Sequence, residues 1–197
     1  MTLPAGLHSV PAGHVAAVVT YLEMLAATIT TPVPFPEGVG AAREQLTVAE
    51  YQQLYRRIGT PWLWQFRLRM TPDALEAVLR DTDTETWVVR TSGDAIGLVE
   101  LDFQTPGACE LGFFGLIPTA TGQGLGRAMI GLAQAQAFAR PITRFHVQTC
   151  TFDAPQALGF YQTFGFRAYK RGVEICSDPR LDGTLPPDAA AHIPCLK

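Results

Sequence analysis

Along this chain, short alternating stretches give way to longer runs with helical spacing, and each change of rhythm marks an element. From His14 to Ile29 the run HVAAVVTYLEMLAATI is almost continuously apolar, a pattern that suits either a buried strand or a buried helix. Pro11 and Gly13 before it, and the β-favouring residues Thr28 to Thr31 at its end, favour a long first strand. The stretch 30–40, TTPVPFPEGVG, is rich in proline and glycine and reads as a surface loop. A helix follows with a clear start: Thr47 caps it, Glu50 three residues on completes a capping box, and Gly59 ends it. Tyr51, Leu54, Tyr55 and Ile58 fall on one face of that helix as its predicted buried stripe. The aromatic segment 60–69, TPWLWQFRLR, is open between strand and loop, and Thr71-Pro72 starts a second helix that runs to about Arg80.

Strand-like runs at 86–91 and 95–103 are joined by Ser92-Gly93-Asp94, which is hairpin-turn chemistry. A third run, 108–117, ends at Pro118, and a helix over 125–139 carries Leu125, Met129 and Leu132 on one face before Pro141 closes it. Residues 142–150 alternate, with Phe145, Val147 and Thr149 opposite Arg144, His146 and Gln148. A last helix over 155–164 stops at Gly165, ahead of a strand reaching Cys176. The predicted order is strand, two helices, three strands, helix, strand, helix, strand. From Ser177 the chain is rich in proline and small residues, as expected of a poorly structured or surface-draped tail. One domain over 1–176 with a tail over 177–197 fits a chain of 197 residues, which suffices for one sizeable core.

Composition narrows the function classes. An apolar share of 47%, a charged share of 17% and a formal net charge of -3 describe an ordinary globular protein, with no electrostatic reason for a nucleic-acid partner. Cys109, Cys150, Cys176 and Cys195 form no CxxC pair and stand beside no histidine at ligand spacing, so reduced, mostly buried thiols are expected, with neither zinc nor disulfides. His8, His14, His146 and His192 show no mutual metal spacing, and no Gly-x-Ser-x-Gly supports hydrolase chemistry. Neither a signal-like N-terminus nor a stretch of ~20 apolar residues is present, so no membrane partner and a cytoplasmic location are expected.

The segment from Leu116 to Arg127, LIPTATGQGLGR, couples a strand end, a turn without large side chains and a helix start. Glycines let backbone approach a phosphate closely, several N–H groups converge on its oxygens, and the following helix dipole favours the charge. A Walker loop would need Gly-Lys-Ser/Thr where Gly126-Arg127-Ala128 stands, and a Rossmann fingerprint would need glycine at Met129. A plain strand-to-helix connection explains the glycines equally well until the second half of the chain is considered.

There, DAPQALGFYQTFGF from Asp153 to Phe166 resembles the tyrosine helix and Gly-Phe element of the GNAT N-acetyltransferases, just as the glycine turn resembles their motif A. The detailed resemblance covers about Ala95 to Tyr169, and the element order before it fits more loosely. It implies an α/β (α+β) acyl-CoA N-acyltransferase fold with a mixed central sheet whose two central parallel strands splay. It also implies acetyl-CoA as the acetyl donor, a small-molecule or peptide amine as acceptor, and a possible homodimer.

By that resemblance, backbone of Leu116 and Ile117 would pair with the pantetheine arm, and Thr121, Gly122, Gln123, Gly124, Leu125, Gly126 and Arg127 would hold the pyrophosphate. Thr121 departs from the family pattern, which places a long Arg or Gln donor there; Gln123 or Arg127 are the compensating candidates. Tyr161 matches the tyrosine that protonates the leaving thiolate, and Asp153, near a helix start, is a cap or a cofactor contact. Glu110 and Glu100 are candidate bases for the amine, with the sheet face of each left open by the sequence. Glu23, Trp62 and Trp64 are candidates for the acceptor wall. A coenzyme-A-binding sensor without efficient transfer is the alternative function.

Overall fold

The structure, a computed structural model, describes residues 3–25 and 32–197. Its elements are β1 (His14–Leu25), β2 (Val39–Arg43), α1 (Val48–Gly59), α2 (Pro72–Arg80), β3 (Thr84–Thr91), β4 (Asp94–Asp102), β5 (Ala108–Leu116), α3 (Leu125–Phe138), β6 (Arg144–Cys150), α4 (Ala157–Thr163) and β7 (Arg167–Ser177). The first two of the predicted helix starts are capped by side chains: Thr47 and Glu50 close a reciprocal capping box on α1, and the Thr71 side chain accepts from Ala74 N ahead of Pro72 on α2.

Among the described residues the strands form one sheet of seven, ordered β2-β3-β4-β5-β6-β1-β7. The β5–β6 pair is parallel and the other pairs are antiparallel. Helices α1 and α2 cover one face and α3 and α4 the other. Alternation fixes the assignment: Tyr51 of α1 reaches Glu100, whereas Phe114 meets Phe160 and Tyr161 of α4. The main core contains Leu98 and Tyr55 on the α1 side and Leu111, Met129 and Phe145 on the α3 side.

The first apolar run is the strand the flanking residues favour, described as far as Leu25; positions 26–29 lie outside the described residues. It is inserted between β6 and β7, pairing with β6 from Val19↔Cys150 to Leu25↔Arg144 and with β7 from His14↔Ser177 to Glu23↔Arg167. Its burial changes sides midway. Val15, Ala17 and Val19 are buried on the α1 face, then Leu22 and Met24 on the α3 face, which is why the run reads as continuously apolar.

One reading is corrected and two that the sequence left open are settled. The predicted loop 30–40 gives way to β2 at Val39, a strand of small residues, VGAAR, whose sequence lacks large alternating side chains and is held by pairing with β3. The open segment 60–69 is loop, made of two 3-10 turns, Thr60–Trp62 and Phe66–Leu68, with Leu63 between them at φ 54. The tail is draped over the surface but is firmly structured. Arg180 donates to both carboxylate oxygens of Asp178, at 2.9 and 2.7 Å, and to the carbonyls of Ala189, Ile193 and Pro194. The tail wraps around this guanidinium, and Leu185, Ala189 and Ala190 form a second small core with Val15 and Leu63.

Candidate functional site

Strands β5 and β6 are paired only from Ala108↔Arg144 to Leu111↔Val147. Just beyond, the β4–β5 register slips: Leu101 faces Leu111 while Glu100 faces Phe113, so Gly112 is an extra residue and bends the strand away. From there β5 continues with β4 to Gly97↔Leu116, β6 continues with β1 to Val19↔Cys150, and the two part. The opening is a cleft of about 550 Å³. Side chains of both sheet faces line it, Trp62, Trp64 and Phe113 from the α1 side and Ala157, Phe160 and Tyr161 from the α4 side, so it passes through the sheet. The edge of β5 that faces this opening is free to accept an added strand.

On the α3 side the cleft ends at the glycine turn. Gly122 and Gly124 hold φ of 76 and 78, the left-handed region that only glycine adopts without strain. Their space is otherwise open, whereas a Cβ on Gly126 would touch the Phe160 ring at 3.4 Å, so the third glycine lets α3 approach α4. Among the described residues, the N–H groups of 122–126 donate to no backbone carbonyl. They sit at the positive end of the 14-residue α3, which has no side-chain cap, an arrangement chemically suited to an anion. The exposed Thr121 and Gln123 fold back on their own turn, their side chains donating to the carbonyls of Pro118 (2.7 Å) and Thr119 (2.9 Å). The exposed Arg127, its guanidinium 6.0 Å from the Phe164 ring, is left as the long cationic side chain beside the turn. The free N–H groups, the open β5 edge and the cleft fit a diphosphate-bearing thioester with an extended amide arm.

Tyr161 lies in the wall, buried among Phe114, Phe160 and Phe166. Burial, reinforced by the negative charge of Asp153, raises its hydroxyl pKa well above the ordinary phenol value. Like any phenol it carries its proton at neutral pH, and the upward shift makes it a weaker acid than a free tyrosine. Asp153 does not cap α4, whose start follows Gln156. Instead it accepts from Thr149 Oγ1 at 2.8 Å and Cys150 N at 2.9 Å, and its other oxygen accepts from Trp64 Nε1 at 3.3 Å. It thereby ties the frayed end of β6 to the far wall. Burial pushes the neighbouring Cys150 thiol up to about 11, so it remains a protonated, poor nucleophile at neutral pH.

The two glutamates on the central strands separate in role. Glu100 is fully buried, accepting from the Tyr51 hydroxyl at 2.6 Å and from the Arg67 guanidinium, and it does not line the cleft. Glu110 lies on the α1 face in register with Asp102 and His146, one rung before the strands part. Desolvation, then the nearby Asp102 and Glu100 charges, raise its carboxyl pKa. Glu23 is engaged by Arg144 at 2.7 Å and lies outside the cleft wall, whereas Trp62 and Trp64 both line it. Gln65, Gln148, Glu174 and Cys176 also line this mouth. Sequence reasoning missed them, since Glu174 and Cys176 come from β7 and reach the site only through strand pairing; the lone polar Gln65 within WLWQF was the one available signal.

The model of the acetyltransferase (GNAT) family matches residues 48–166. No curated protein matches. Among solved structures the chain is similar to a functionally unknown conserved protein from Staphylococcus epidermidis, with 14% identity, 84% of this chain and 63% of that one covered, and a TM-score of 0.63. It is similar to a GCN5-related N-acetyltransferase from Kribbella flavida, with 19% identity, coverage of 87% and 63%, and a TM-score of 0.58. A GCN5-related N-acetyltransferase from Sphaerobacter thermophilus gives 15% identity, coverage of 83% and 53%, and a TM-score of 0.62. The chain thus spans less than two thirds of the length of these three, and at such identities the likeness is one of fold. With the family model covering more than half of the chain and the splayed sheet, glycine turn and tyrosine helix in place, this chain belongs to the acetyltransferase (GNAT) family.

Proposed function

We propose that the protein transfers an acetyl group from acetyl-CoA to an amine by direct attack. The observation that carries this reading is the position of Tyr161, a protonated, buried hydroxyl in the wall of a cleft that joins the glycine turn to the opposite sheet face. Coenzyme A would supply an activated thioester. The turn N–H groups and Arg127 would bind its phosphates, and the open β5 edge from Gly112 to Leu116 would align its arm; Ile117 drops out of that edge, since its N–H donates to Ile96 O and its carbonyl accepts from Ala120 N, both at 2.9 Å. As the C–N bond forms and the C–S bond breaks, Tyr161 would give its proton to the sulfur. The amine must shed a proton on the other side. Glu100 is committed to Arg67 and Tyr51, which leaves Glu110, with its raised pKa, as the base; it does not itself line the cleft and would take the proton through a chain of solvent. The protonated Cys150 supports direct attack over an acyl-cysteine route.

Replacing Tyr161 with Phe tests the assignment. Expected is a fall in kcat of about 10²-fold, in the range of general-acid contributions, with the affinity for acetyl-CoA little changed. Release of coenzyme A at the wild-type rate from pH 7 to 9 would remove Tyr161 from the mechanism. The Thr121 hydroxyl, engaged by the Pro118 carbonyl and offering no long donor to a pyrophosphate, favours the sensor alternative. Cofactor binding without acetylation of any amine in a broad panel would establish that alternative.

A further inference from the structure

The mouth of the cleft on the α1 face has a definite chemical character. Trp62, Trp64 and Phe113 form its walls and Phe66, 53% exposed, its rim. Two carboxylates, Asp153 and Glu174, line the cleft, and among the described residues no lysine, arginine or histidine does. Gln65, only 3% exposed, lines the same wall; its Nε2 donates to Cys176 Sγ at 3.1 Å, while its buried Oε1 has no hydrogen-bond partner. A buried acceptor without a donor is unfavourable until a donor arrives.

We infer that the acceptor is a primary amine, cationic in solution and carried on a flat apolar body of about aromatic size, selected by Glu174 and Gln65. This rests on the acetyl-transfer reading above and narrows its acceptor. An ammonium brings three N–H donors and no acceptor, which matches a wall offering carboxylates and an unpartnered carbonyl. Aromatic faces attract both a cation and a flat apolar body. A polyhydroxylated amine would bury hydroxyls against these rings without partners, and an acidic amine would meet two like charges.

Binding can be read separately from turnover by following tryptophan fluorescence, since Trp62 and Trp64 line the cleft. With the protein saturated by coenzyme A, 2-phenylethylamine, 2-phenylethanol and glucosamine are titrated in turn. The amine on the aromatic body is expected to bind at least about tenfold more tightly than either of the others, a difference of about 1.4 kcal/mol. Equal binding of amine and alcohol, no binding of either, or tighter binding of glucosamine would overturn the inference. Glu174→Gln and Gln65→Leu are each expected to weaken amine binding about three- to tenfold and leave the alcohol unchanged; an unchanged amine-to-alcohol ratio in both would overturn the assigned selectors. If either variant misfolds, the wild-type comparison still decides. Acetyl-CoA turnover is then measured with the same amines. The expected binding preference without turnover defeats the transferase reading alone, whereas turnover with equal kcat/KM for phenylethylamine and glucosamine defeats the selectivity.

Discussion

Trp64 spans the cleft between two glycines and an aspartate. A Cβ on Gly59 would stand 2.3 Å from Trp64 Cβ, and one on Gly115 would stand 2.5 Å from Ile58 Cγ2 and 3.1 Å from the indole. Gly59→Ala must therefore push the indole from Asp153, and a stability loss of about 1–3 kcal/mol, typical of overpacking, is expected in urea unfolding together with a shifted tryptophan emission. Arg67 and Glu100 make a second test at this scale. Glu100 is wholly buried and the Arg67 side chain mostly so, and removing one partner strands the other charge. Arg67→Met should cost about 3–5 kcal/mol, whereas the double change Arg67→Met with Glu100→Leu should cost much less. A double variant as unstable as the single one would show that the pair is not what the site's α1 side depends on.

At the scale of elements, the glycine turn and α3 would act as one unit in the proposed phosphate binding. Gly124→Ala places a Cβ in open space but at a φ of 78, which costs about 1–2 kcal/mol for an L residue. That cost is expected as a melting temperature lowered by about 2–8 °C, together with weaker acetyl-CoA binding by calorimetry. The tail forms another such unit. Arg180 holds the Asp178 carboxyl at about 2, below its ordinary 3.8, so the unfolded chain binds the proton at higher pH than the native one. The stabilisation is complete above about pH 4 and disappears as pH falls towards 2. Melting temperature should drop across that window, and Asp178→Asn should flatten the drop. These two units differ in legibility. The glycine turn is local and was readable from LIPTATGQGLGR; the clasp joins Arg180 to carbonyls as far on as Pro194, in a stretch whose composition resembles disorder.

For the whole molecule, the tail buttresses the α1-side wall of the cleft. Arg56 donates to Thr184 O at 2.8 Å, Arg69 pairs with Asp182, and Trp62 meets His192 edge-on at 6.2 Å. A chain ending at Ser177 should lose the cover of Leu63 and Val15 and melt at lower temperature. Its KM for the amine should rise more than its KM for acetyl-CoA, since the glycine turn lies on the other sheet face. Equal rises in both would place the tail's influence elsewhere.

By itself the sequence determined what short-range chemistry can encode. The capping box at Thr47, the prolines that start and stop helices, the hairpin at Ser92-Gly93-Asp94, the glycine turn and the Asp153–Phe166 element each act over a few residues, and each could be read directly. Tertiary structure alone decided where β1 pairs, that the small-residue β2 is a strand, and which glutamate is committed to an ion pair. It also brought Gln65 and Glu174 to one mouth. Those outcomes depend on pairing across long sequence separations and on which sheet face each side chain occupies. A period of two fixes alternation but not its phase, and only the assembled sheet sets that phase.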